Sequence, residues 1–193
     1  LKHSHIDVAW FFLRKRDGGW SKHGYHITVQ SDGTAMFNLP FKTGSNGCGG
    51  SFNPSIKNSN AINISWIGGA ESLDITSEQS LTYKKVIKAI IKKYPDIKVV
   101  GHNQVAAKAC PWWWAPKYCE LIGLKEKNIL RERWICIKKN AKGKCIKSVL
   151  GKAITEKKYI TGAATAADPS KCSKGTVDFA YLNNVANTKP EIA

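Results

Sequence analysis

Residues 101–111 read GHNQVAAKACP, which places His102, Lys108 and Cys110 inside one short stretch. Imidazole and thiolate are both zinc donors, and a hydrolytic zinc takes three protein ligands with one position left open. The segment between His102 and Cys110 is long enough to fold back so that both reach one ion. A third donor must come from elsewhere, and KHSH at 2–5 offers His3 and His5, which share a side if that segment is extended. Alone, the histidine–cysteine spacing is a weak signal. A histidine at a strand end is more often a hydrogen-bonded structural group, and a single buried cysteine is usually a small apolar filler.

The surrounding elements determine whether these groups can meet. Asp7 is a candidate cap for a helix over about 8–16, ended by DGGW. YHITVQ (25–30) alternates as a strand, SDG turns the chain, and TAMFNLP (34–40) returns as a second strand. Residues 41–60 are dense in Gly, Asn and Ser, the composition of a long loop of the kind that often carries function. AINISWIGG follows as a β-branched strand. TSEQSLTYKKVIKAIIKKYP is the clearest helix: Thr76 and Gln79 make a capping-box pattern, Tyr83, Ile87, Ile90, Ile91 and Tyr94 share a face, and Pro95 closes it. IKVVG then reads as a short buried strand running into His102. Alternating strands and helices predict an α/β or α+β domain around one central sheet.

A chain of 193 residues with 42% hydrophobic content supports one good core, and its 7 Trp, 6 Tyr and 6 Phe exclude a disordered polymer. Its apolar runs are too short to span a bilayer, and LKHSHIDVAW lacks the apolar stretch of a secretory leader. The net charge of +16 favours anionic partners without choosing among them. It is concentrated late: residues 1–124 hold 15 Lys+Arg against 8 Asp+Glu (+7), while residues 125–193 hold 15 against 6 (+9). A soft boundary therefore falls near 125. Beyond it come strand-like pieces, RWICIKK, KCIKSVL and KKYITG, then a loop-like AATAADPS. Among the six cysteines there is no CxxC pair, and Cys136 and Cys145 flank a hairpin-like loop that a cross-strand disulfide could bridge. No nucleic-acid-binding signature accompanies the charge.

Four separated blocks, GWSKHGYHITVQSDGT, NSNAINISWIGG, TSEQSLTYKKVIKAIIKKYP and GHNQVAAKACP, carry a resemblance. In order and spacing they resemble the zinc-dependent N-acetylmuramoyl-L-alanine amidases of the phage lysozyme type, relatives of the peptidoglycan recognition proteins. The resemblance covers roughly residues 1–124. It implies a mixed β-sheet flanked by helices. Residues 125–193 have no counterpart in the minimal family domain; their positive charge suits a small extension that attaches to the cell wall, with packing on the amidase as the alternative. By the same resemblance His102 and Cys110 are zinc ligands, Tyr25 and Lys108 are catalytic, and His3, followed directly by Ser4, is the first ligand, with His5 or a residue upstream of Leu1 as the alternatives. The segment before His3 and the stretch from His3 to Tyr25 are both shorter than the family pattern. Asn46 stands where relatives often carry histidine, and PWWWAP offers tryptophans for glycan stacking or packing.

The implied activity is cleavage of the bond between N-acetylmuramic acid and L-alanine, with Zn2+ as cofactor and peptidoglycan as partner. A phage endolysin is the expected setting, acting as a monomer that passes from host cytoplasm to cell wall, without a membrane span or a nucleic-acid partner. Binding of peptidoglycan without cutting it is the alternative.

Overall fold

The computed structural model describes residues 4–15, 18–48, 51–68, 75–106, 108, 110–111 and 114–151. Helix α1 (His5–Trp10) begins at Ser4, whose hydroxyl accepts from the Asp7 N–H while the Asp7 carboxylate accepts from the Ser4 N–H. Asp7 is thus the third helical residue of a capping box and not the cap itself; Ser4 and Asp7 stand three apart, the spacing the reciprocal bonds require. The helix widens into a π turn over Phe11–Lys15.

Strands β1 (Ile27–Val29) and β2 (Ala35–Phe37) pair antiparallel, Thr28 opposite Met36. The connecting turn relies on Gly33 at φ +84°, where an added Cβ would also sit 2.9 Å from the Glu78 carbonyl oxygen. Strand β3 (Ile64–Trp66) pairs parallel to β1, giving the order β2-β1-β3. Helix α2 (Ser77–Lys93) packs on this mixed sheet, and its Thr76–Gln79 capping box is formed in both directions. Gln79 is fully buried and its amide also donates to the carbonyls of Val29 and Ile67, so the first turn of α2 is tied to the sheet's end.

The core joins Ile27 and Val29 of β1, Trp66 of β3, and Tyr83, Val86, Ile87 and Ile90 of α2. Helix α4 (Ala115–Leu121) closes it with Ala115 and Tyr118. The IKVVG segment forms a single parallel bridge, Val99 to Ile129, in place of a full strand. Ile129 and Asn128 are buried there, with the Asn128 amide donating to the carbonyls of Pro95 and Ile97, so packing continues past residue 125.

Strands β4 (Arg133–Lys139) and β5 (Cys145–Gly151) form a separate antiparallel ribbon stapled by the Cys136–Cys145 disulfide. KKYITG and AATAADPS lie outside the described residues. No described helix is long and apolar enough to cross a membrane.

Candidate active site

Short helix α3 (His102–Val105) starts at the end of the Val99 bridge and carries His102 in its first position. Gln104, fully buried, fixes it. Its carbonyl oxygen accepts from the Gly101 N–H (2.8 Å), and its amide donates to the carbonyls of Leu130 (2.6 Å) and Glu132 (3.1 Å). The chain after α3 doubles back, since the Asn103 N–H donates to the Cys110 carbonyl at 2.8 Å and the Trp66 indole N–H donates to the Pro111 carbonyl at 3.2 Å. These bonds bring the Cys110 sulfur to 3.3 Å from His102 Nδ1. Two donors on one zinc, at about 2.3 Å for sulfur and 2.0–2.1 Å for nitrogen, lie roughly 3.5 Å apart at a tetrahedral angle. The observed pair fits that geometry.

His102 and Cys110 open on a cavity of about 440 Å³, also lined by Tyr25 and Tyr83. Tyr25 is half-buried; its ring meets Phe12 edge-on at 5.3 Å, and its N–H donates to His23 Nδ1. Gly47, Cys48, Asn53 and Ser55 bring the Gly/Asn loop into the same wall. Burial pushes the Cys110 thiol up, while the Lys108 charge pulls it back down. Lys108 is exposed, and its N–H donates to the Ala106 carbonyl. Burial, then the neighbouring Tyr118, Tyr25 and Cys110, hold the Tyr83 phenol well above its ordinary value, so it stays a neutral hydroxyl. Tyr83 was legible only as one apolar position on a helical face.

His3 lies outside the described residues, as do Trp112 and Trp113; Trp114 is buried. His5 is engaged elsewhere: its Nδ1 meets Thr28 Oγ1 at 2.7 Å and its N–H donates to the Gln30 side chain. Thr28 alternates with Ile27 and Val29, which face α2, so His5 sits on the other side of β1. Neither His5 nor Thr28 lines the cavity. His26 is structural: Nε2 bonds the Thr43 carbonyl and Nδ1 accepts from the Asn63 N–H. Among the described residues no three His, Cys, Asp or Glu side chains converge as a metal site.

Residues 4–113 match the family of N-acetylmuramoyl-L-alanine amidases, Amidase_2. The chain belongs to that family. It is therefore a peptidoglycan amidase with the expected mixed sheet and flanking helices. It is also 26% identical over 110 residues to the endolysin of Escherichia phage T7, covering 51% of this chain and 68% of the relative. The endolysin of Enterobacteria phage T3 gives the same identity and coverage. No solved structure matches.

Proposed function

We propose that this amidase is a zinc-dependent endolysin that cuts between N-acetylmuramic acid and L-alanine, using His102, Cys110 and His3 as ligands. The observation that carries the reading is the 3.3 Å approach of Cys110 Sγ to His102 Nδ1 in the lining of the cavity that Tyr25 shares. When bound, zinc supplies Lewis acidity, lowering the pKa of water towards neutrality and polarising a carbonyl.

The chain's own residues do the rest. Amide hydrolysis builds negative charge on the carbonyl oxygen, and in this reading the Lys108 ammonium, whose charge reaches Cys110, opposes it. The Tyr25 hydroxyl donates to the same oxygen or orients the attacking water. The Gly/Asn loop walls the cavity and is suited to hold stem peptide. Similarity to the phage endolysins supports release into the host cell wall as the setting. Residues 1–124 form the catalytic unit in this reading, and 125–193 the basic extension.

Digestion of purified sacculi tests the proposal. New L-alanine amino termini, produced in proportion to bound zinc, are the expected result. New reducing sugars, or undiminished cleavage by metal-free protein, would overturn it.

A further inference from the structure

The β4–β5 ribbon combines two properties that the amidase reaction does not use. Between Arg133 and Gly151 it carries six cations, Arg133, Lys138, Lys139, Lys142, Lys144 and Lys147, and no acidic residue. Interleaved with them are five large aliphatic side chains held in water: Ile135 (37% exposed), Ile137 (53%), Ile146 (56%), Val149 (39%) and Leu150 (59%). So many exposed aliphatics on one two-stranded element mark a contact surface, because soluble folds keep such patches small.

Among the described residues, the hydrogen bonds that tie the ribbon to the amidase come from the middle of β5 and from the chain just before β4. The Ser148 hydroxyl donates to the Phe52 carbonyl, and Gln104 donates to the carbonyls of Leu130 and Glu132 just before β4. Towards the tip, Asn140 and Lys144 close the turn, and the disulfide holds the strands in pairing. The tip therefore presents its side chains on a preorganised frame, at little ordering cost on binding.

We propose that this ribbon docks on the surface of a bilayer containing anionic phospholipid. A charged wall polymer would satisfy the lysines but gives Ile137, Ile146 and Leu150 no apolar phase to enter. A headgroup–acyl boundary satisfies both, since aliphatic side chains sink below the headgroups while lysine stems run alongside them and keep their ammonium groups at the phosphates. The open edges of a two-stranded ribbon confine it to the interface, because unpaired backbone groups do not enter the hydrocarbon. The docking is independent of the amidase chemistry and of metal content.

Flotation of the full chain with vesicles tests this at physiological salt. Binding to vesicles of phosphatidylcholine with about one-third phosphatidylglycerol is expected to exceed binding to phosphatidylcholine alone by roughly tenfold or more. Ile137→Ser with Ile146→Ser, which leaves the charge unchanged, is expected to lose about tenfold. Lys142→Gln with Lys144→Gln is expected to lose binding and flatten its salt dependence. Cleavage of sacculi by both variants should match the parent chain, which shows that they fold. No binding of the full chain to anionic vesicles overturns the proposal. So does unchanged binding of the isoleucine variant, which would reduce the ribbon to a polyanion contact that soluble anionic wall polymer competes away.

Discussion

The Cys110 sulfur lies 3.3 Å from Nδ1 of His102, eight residues away, because the Asn103 N–H holds the Cys110 carbonyl against the helix that carries the histidine and the Trp66 indole N–H holds the carbonyl of Pro111. Neither bond uses the thiol or the imidazole. Cys110→Ser and His102→Ala are therefore expected to fold, with melting temperatures close to that of the metal-free parent. Each is expected to fall from about one zinc per chain to near none and to lose cleavage of sacculi by at least about a hundredfold. Metal analysis beside an activity assay checks this. A zinc-loaded Cys110→Ser protein of normal activity would remove that residue from the site.

Gln104 is the brace that holds His102 in place. It is fully buried and bonds one backbone N–H and two backbone carbonyls. Truncation leaves the Gly101 N–H buried and unpaired, at roughly 1–3 kcal/mol, and also removes the two part-buried bonds to the Leu130 and Glu132 carbonyls. Gln104→Ala is thus expected to destabilise the chain by about 3 kcal/mol in urea denaturation and to weaken zinc affinity. A change under about 0.5 kcal/mol would show that water or a shifted backbone replaces the amide.

His26 makes stability depend on pH. Its Nδ1 accepts from the Asn63 N–H, so the proton sits on Nε2 and points at the Thr43 carbonyl. A second proton would face the Asn63 N–H. Burial lowers the pKa, the bond to Thr43 opposes this in part, and the Lys22 charge adds to the lowering. With the folded value below the unfolded one, the unfolded chain takes up the proton first. Stability is complete above about pH 6.5 and is lost as pH falls through the folded value. Thermal melts between pH 7.5 and 5 should show that decline, shallower in His26→Gln. His5 and His23, also lowered by burial, keep the residual slope above zero.

Elements specified by short-range chemistry were legible in the sequence. Thr76 and Gln79 announce the start of α2, and the spacing of Cys136 and Cys145 anticipates their bridge, because each signal needs only neighbouring residues. The first helix was misplaced for a local reason: Ser4 and Asp7 are both good caps, and only the reciprocal bonds decide between them. The IKVVG strand shrank to one bridge because a strand exists only as far as its partner runs, which its own residues do not encode. For the site, the convergence of His102 with Cys110 was readable from spacing and family likeness. That His5 turns to Thr28, that Gln104 braces the chain at Leu130 and Glu132, and that Tyr83 lines the cavity follow from contacts far apart in sequence.

In the proposed mechanism, substitutions at Lys108 and Tyr25 are expected to separate catalysis from metal binding. Tyr25 is half-buried and lines the cavity, Lys108 is exposed with its charge reaching Cys110, and neither takes part in the contact between His102 and Cys110. If they act on charge developing at the carbonyl oxygen, their removal raises the barrier while leaving the ligands intact. Lys108→Met is expected to lower kcat by about a hundredfold, the effect of losing one preorganised charge or donor at an oxyanion. Tyr25→Phe, which keeps the ring contact with Phe12 and removes only the hydroxyl, is expected to lower it by roughly ten- to a hundredfold. Zinc content should stay near one per chain in both. A rise in KM at constant kcat would instead assign these residues to holding the substrate, and loss of zinc would make them part of the metal site's support.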